Sequence, residues 1–292
     1  MKTTLAAGTA AQFAPVDMGR AATTSLKLTH FPAGENGFFR APVLIEGATE
    51  AVLIDGGFTY SDGTALADAI KATGKKLTTI YISQSDPDYY FSLTPVVKAF
   101  PDARVIAASE TLAATLANVD KKIAAWSKQL GDNGPQSMAE IVLPQAYDEA
   151  TLTVDGEVIE IVQAPGLPNR RYLYVPSLNA VVGGVMIFAG VHVWTADNAT
   201  KELRAAWVAN LDAIAARNPA VVVPGHMVPD AAIDLSAVAH TKAYLLAFEE
   251  ELAKATDSAT LKAAMLARFP NLGMGVALDI GSKVVTGEMK WG

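Results

Sequence analysis

The chain has 292 residues, 51% of them hydrophobic, so it can bury a large core and is too apolar for intrinsic disorder. Its formal net charge of −7 argues against a nucleic-acid partner, because phosphate binding needs clustered Lys and Arg. Zero cysteines exclude disulfides and thiolate metal sites, and there is no uncharged apolar run of about 18 residues to cross a membrane.

Residues 1–24 are Ala/Thr-rich and lack the strong apolar segment of a signal peptide, so they read as a flexible tail before one domain over 25–292. The expected compartment is the cytoplasm, with the periplasm as the alternative if a signal peptide has been removed. Strand-like runs come first, over 25–30, 41–46 and 50–54, the last ending in the turn signal Asp55-Gly56-Gly57. A helix is expected over 64–73, with Leu66, Ala69 and Ile70 on its apolar face. A buried strand over 77–82 follows, then a helix over 91–100 and a strand over 104–108. Ser109 reads as the N-cap of a helix that starts at Glu110 and runs towards Leu130.

The second half repeats this rhythm. Runs 151–154 and 157–163, split by Asp155-Gly156, predict a hairpin with a type I′ turn. Strands over 171–175 and 180–183 flank Pro176 to Asn179, and a helix over 201–217 leads to an apolar strand over 221–223. Helices over 234–255 and 258–268 close the chain. Two βαβ-like halves, each with β-hairpins, suggest two packed sheets flanked by helices.

Five segments sit at the ends of predicted strands. They are Val52-Leu53-Ile54-Asp55-Gly56-Gly57, Gln84-Ser85-Asp86-Pro87-Asp88-Tyr89, Ala164-Pro165-Gly166-Leu167, Val182-Gly183-Gly184-Val185 and Val222-Val223-Pro224-Gly225-His226. In this order they resemble the motifs of the metallo-β-lactamase superfamily, from about Leu26 to Asp230. The resemblance implies an αββα sandwich of two mixed β-sheets flanked by helices. The superfamily's main loop is His-x-His-x-Asp-His. Here Gln84, Asp86 and Tyr89 stand where the histidines belong, and only Asp88 matches. Leu167 replaces a further histidine, Val185 replaces the bridging aspartate, and His226 is kept. A divergent branch of the superfamily carries a similar Asp-Pro-Asp-Tyr-Tyr-Phe loop.

This pattern removes most of the superfamily's metal chemistry. A dinuclear zinc site needs about seven His and Asp ligands, and Leu167 and Val185 have no lone pair to give. Dinuclear zinc is therefore not expected. Asp86, Asp88 and His226 could hold at most one divalent ion, a hard one such as Mg²⁺ or Ca²⁺. Without a metal, two carboxylates on a tight turn can raise each other's pKa and give a general acid or base, with His226 as partner. Tyr89 could donate to a developing oxyanion. The candidate catalytic residues are thus Asp86, Asp88, Tyr89 and His226.

Gln84, Tyr90 and Trp194 are the candidate substrate contacts, with Phe38, Phe39 and Tyr60 as further aromatic residues for an apolar wall. Arg170-Arg171 reads as a solvated pair rather than an anion site. The expected function is a hydrolase-like protein acting on an unknown small molecule through a single-metal or metal-free site, with Asp/His activation of water. The alternative is a non-catalytic protein that binds a small molecule in the old cleft. The long helices beginning near Glu110 and Asp234 offer surfaces for a homodimer.

Overall fold

The computed structural model describes residues 26–291. The expectation of a tail over 1–24 lies outside these residues. Six strands form the first sheet in chain order: β1 (Lys27–His30), β2 (Val43–Glu46), β3 (Glu50–Ile54), β4 (Lys76–Ile82), β5 (Arg104–Ala107) and β6 (Gln145–Ala146). The first two pairings are antiparallel and the remaining three parallel. The parallel part explains the near-continuous apolar runs of β3 and β4, which are covered on both faces.

The second sheet contains β7 (Thr151–Val154), β8 (Glu157–Gln163), β9 (Arg171–Val175), β10 (Ala180–Val182) and, after the short β11 (Phe188–Ala189), β12 (Val221–Val222). Its spatial order is β12-β10-β9-β8-β7. β11 pairs in parallel with β13 (His226–Met227) in a small third ladder. The β7–β8 hairpin turns at Asp155 and Gly156, with φ of 47° and 83°, the positive values a type I′ turn requires.

The helices are α1 (Tyr60–Thr73), α2 (Leu93–Ala99), α3 (Ser109–Leu130), α4 (Lys201–Ala216), α5 (Leu235–Leu252), α6 (Ser258–Arg268) and α7 (Gly275–Val285). They pack in pairs, α1 on α2, α4 on α5 and α6 on α7. The buried apolar side chains of both sheets and the helices form one connected core. Two mixed sheets flanked by helices are the expected αββα architecture.

Local chemistry accounts for the differences from expectation. α1 starts four residues early because Thr59 and Asp62 form a reciprocal capping box, Asp62 N–H donating to Thr59 Oγ1 at 3.1 Å and Thr59 N–H to Asp62 Oδ2 at 2.9 Å. Ser109 is the first residue of α3 rather than its cap, and its hydroxyl donates to Asp148. Helix α7 has no cap signal in sequence, since Met274 precedes it in a left-handed conformation without a side-chain bond. Strands β11 and β13, two residues each, are too short for period-two alternation to reveal.

Candidate active site

The ends of β3, β4, β10 and β13 meet at one place, and hydrogen bonds tie them together. Asp55, just after β3, accepts from Ser83 N–H and Ser83 Oγ, both at 2.7 Å, just after β4. Ser83 Oγ in turn accepts from Gly184 N–H at 2.9 Å, beyond β10. The motif segments seen in sequence are thus neighbours in space.

Their centre is Arg40, which the sequence reading did not single out. Its side chain is fully buried. Nη2 donates to Asp55 Oδ2 at 3.2 Å, Nη1 donates to the Gly225 carbonyl, and Nε lies 3.8 Å from Asp88 Oδ2. The guanidinium also stacks on Tyr89, its carbon 3.5 Å from the ring centroid. Gly225 is required here, because a Cβ at that position would stand 2.1 Å from the Gly184 carbonyl oxygen and 3.2 Å from Arg40 Nη1. A permanently charged group therefore occupies the middle of the site.

Beside it lie Asp88 and His226. The loop after β4 makes a 3₁₀ turn over Pro87–Tyr89, which Pro87 preorganises at the first position. It presents Asp88 Oδ2 to His226 Nε2 at 3.6 Å. His226 Nδ1 lies 2.7 Å from the Phe38 carbonyl oxygen. A carbonyl only accepts, so Nδ1 carries the proton and Nε2 presents a bare lone pair to Asp88. Phe38 and Phe39 deliver that carbonyl from consecutive left-handed conformations, φ 54° and 56°, a strained arrangement held by the surrounding contacts. Phe188 stacks on the His226 ring at 5.1 Å.

Burial sets the protonation of this pair. Loss of solvent pushes the Asp88 carboxyl up to about 7, against the opposing pull of Arg40 and with some help from Asp86. Burial, reinforced by the Arg40 charge, lowers His226 to about 3, so this imidazole is neutral near pH 7. Tyr89 is fully buried, and its hydroxyl donates to the Gly184 carbonyl at 3.2 Å and lies 3.5 Å from His226 Nε2.

Asp86 has a different setting. It faces Lys122 of α3 at 3.3 Å and shares its surroundings with Asp197 and Arg170. Burial, aided by the Asp197 charge, raises its carboxyl above the usual range. Asp86 and Asp88 flank Pro87 and both line the aromatic pocket, Asp86 beside Lys122 and Asp88 beside Arg40 and His226, and the Asp86 charge helps to raise Asp88. Gln84 is buried, its Oε1 taking up Ser85 N–H at 2.6 Å and Asn169 Nδ2 at 3.1 Å, while its Nε2 has no partner.

Above Asp88 and His226 opens an aromatic pocket. Phe38, Phe58 and Trp126 form edge-to-face contacts of 4.9–5.4 Å on one side, and Trp194 and Trp291 meet at 5.3 Å on the other. Trp194 lines the pocket; Tyr90, Phe39 and Tyr60 do not, and Tyr90 is buried in the core with its hydroxyl unpartnered. Val185 lines the pocket wall and Leu167 is buried, both as apolar filling. The expectation of a solvated Arg170-Arg171 pair is corrected: Arg170 is buried and bonded to Asp197 at 3.0 Å, and Arg171 reaches Glu110 at 3.0 Å.

The side chains do not fit the metal centre that the motif order implies. Among the described residues, no group of three or more His, Asp or Glu is placed to hold an ion. Asp86 is paired with Lys122, Leu167 and Val185 offer no lone pair, and the Arg40 guanidinium already sits against Asp55 and Asp88. A divalent cation beside that guanidinium would meet like-charge repulsion in a poorly solvated site.

Comparison with known proteins supports the architecture. Neither a family model nor a curated protein matches the sequence. Among solved structures, a metallo-β-lactamase family protein from Thermus thermophilus is 18% identical, with a TM-score of 0.58 over 90% of this chain and 91% of that one. A β-lactamase domain protein from Burkholderia ambifaria is 13% identical, with a TM-score of 0.60 over 90% and 84%. The DIM-1 metallo-β-lactamase is 15% identical, with a TM-score of 0.55 over 76% and 93%. This chain has the metallo-β-lactamase fold. The particular chemistry has to come from its own residues, since one fold hosts many functions.

Proposed function

We propose that this protein is a metal-independent hydrolase of small molecules that carry an apolar body, in which Asp88 is the general base. The observation that carries the reading is the Asp88–His226 contact, with the imidazole fixed in the Nδ1–H form by the Phe38 carbonyl. A water that donates one hydrogen to Asp88 and the other to His226 Nε2 would turn its oxygen lone pairs towards a substrate in the aromatic pocket. Asp88, with a pKa near 7, can take the proton at neutral pH; His226, near 3, is too weak a base and orients the water instead. The water oxygen then bonds to an acyl carbon, and the proton held by Asp88 passes to the leaving group as its bond to that carbon breaks. Lys122, which lines the same pocket and bonds Asp86 at 3.3 Å, would lend its positive charge to the developing oxyanion.

One observation favours the alternative of a non-catalytic binding protein. The Tyr89 hydroxyl donates to Gly184, and both terminal nitrogens of the fully buried Arg40 donate to Asp55 and Gly225, so these groups are engaged within the protein. The deciding experiment is a hydrolysis screen of aryl and alkyl esters and thioesters with chelator present. The hydrolase reading expects turnover that rises with pH through about 7 and is lost in Asp88→Asn. Turnover that appears only with added zinc, or survives Asp88→Asn, would overturn it.

A further inference from the structure

A second, more polar cavity adjoins the aromatic pocket. The two share Asp86, Lys122 and Trp291, so a ligand in one can extend into the other past these side chains. Three cations line the second cavity, Lys121, Lys122 and Arg170, against two carboxylates, Asp86 and Asp197, which leaves a formal balance of +1. This local excess stands out in a chain whose net charge is −7.

The pairing within the cavity is incomplete. Arg170 bonds Asp197 and Lys122 bonds Asp86, whereas Lys121 has no carboxylate within ion-pair distance among the described residues. Asp197 also takes the Trp291 indole N–H at 2.7 Å, so its second oxygen is engaged as well. Gln84 lines the cavity and its buried Nε2 has no acceptor in the protein. A buried donor without a partner costs free energy unless a ligand or water supplies the acceptor. The cavity therefore presents one buried donor without an acceptor, Gln84 Nε2, and an exposed cation without an ion-pair partner, Lys121.

We infer that the ligand is an amphipathic monoanion, with a flat apolar body among Phe38, Trp126 and Trp194 and a carboxylate in the adjoining cavity near Lys121 and Lys122. The excess of one positive charge matches a carboxylate better than a phosphate dianion. Trp291, in contact with Trp194 and with Lys122 5.3 Å from its ring centroid, stands where body and head would join. This inference names the substrate class of the site proposed above and rests on the aromatic pocket being its binding pocket.

The test is tryptophan fluorescence titration with 1-naphthylacetate, its neutral analogue 1-naphthylacetamide and the cationic 1-naphthylethylamine. The carboxylate is expected to bind at least about tenfold tighter than the amide, and the amine more weakly than either. Lys121→Glu should abolish the preference for carboxylate while leaving amide affinity unchanged, and Trp194→Ala should weaken both. Equal affinity for acid and amide, a preference that survives Lys121→Glu, or no saturable binding of the acid would overturn the inference. The same titration on Asp88→Asn separates it from the catalytic reading. Anion preference retained there, without hydrolysis of any ester in the wild type, would leave the subsite standing and remove the hydrolase. Hydrolysis without anion preference would do the reverse.

Discussion

Asp86 and Asp88 flank Pro87 in the same loop, yet they belong to different chemical environments. The Asp88 side chain is 12% exposed and sits against Arg40 and His226, whereas the Asp86 side chain is 25% exposed and faces Lys122 across the polar cavity. Asp88 has one permanent cation beside it and is still pushed up to about 7, because burial outweighs the 3.8 Å ion pair. Asp86 is balanced by Lys122 and opposed by Asp197. In the proposed function these two identical residues take different roles, Asp88 as the proton-active group and Asp86 as a binding group. Both carboxylates line the aromatic pocket, and their different partners set them apart.

The largest effect should come from removing the proton-active member. Asp88→Asn is expected to lower kcat/KM on a substrate found in the ester screen by roughly 10²–10⁴-fold, the usual worth of a positioned general base. Asp86→Asn should change mainly KM, by much less. Equal losses in kcat from both would erase the distinction between them.

The second way to break the comparison is through Arg40, which touches only the Asp88 side. Arg40→Met leaves Asp55 buried without its cation and should destabilise the protein by about 3–5 kcal/mol in urea unfolding. Lys122→Met, which uncouples the more exposed Asp86, should cost well under half as much. A small loss at Arg40 would show that its contacts are not what holds the site together.

A subtler test uses pH. The Asp88 carboxyl, raised from 3.8 to about 7, favours folding at low pH, and that contribution is lost as pH rises through about 7. The amide that replaces it in Asp88→Asn cannot ionise, so the stability of this variant relative to wild type should increase between pH 4 and pH 8, by up to about 4 kcal/mol. His226, lowered to about 3, weakens the fold in the opposite direction, as pH falls below its ordinary 6.5. It is present in both proteins, so only its coupling to Asp88 across 3.6 Å stays in the difference. Thermal melts across this range check the sign, and a difference that shrinks with rising pH would refute it. The smallest effect is expected from chelation: EDTA should leave both Tm and turnover unchanged.

The fold could be read from sequence because its signals are local. Apolar strand runs, the Asp155-Gly156 turn and glycine-containing segments at strand ends recur in a fixed order, and the structure brings Asp55, Asp88, Gly184 and His226 to one place. Trp194 lines the pocket, as expected of it. Its neighbours Trp126 and Trp291 were not legible, since nothing in α3 or near the end of the chain marks a side chain as facing a cleft. The motif order marks Tyr89, which stacks on Arg40, as a site residue, whereas the reading of Tyr90 as a substrate contact fails because its side chain is buried away from the pocket.

Arg40 is the instructive omission. It lies at the head of the apolar run leading into β2, and its partners Asp55 and Gly225 are 15 and 185 residues away. Its role depends on tertiary contacts that no window of sequence contains. Replacement of zinc ligands by Gln84, Tyr89, Leu167 and Val185 could be seen residue by residue. The guanidinium that occupies the centre of the altered site could not.

The central claim is that Asp88, beside Arg40 and His226, exchanges its proton near neutrality. It is tested most directly by ¹³C NMR titration of the aspartate carboxyl carbons, with Asp88→Asn for assignment. A carboxyl resonance that titrates near pH 7 in wild type and is missing in Asp88→Asn is the expected result. An Asp88 signal that titrates below about pH 5, in the ordinary carboxylate range, would contradict it.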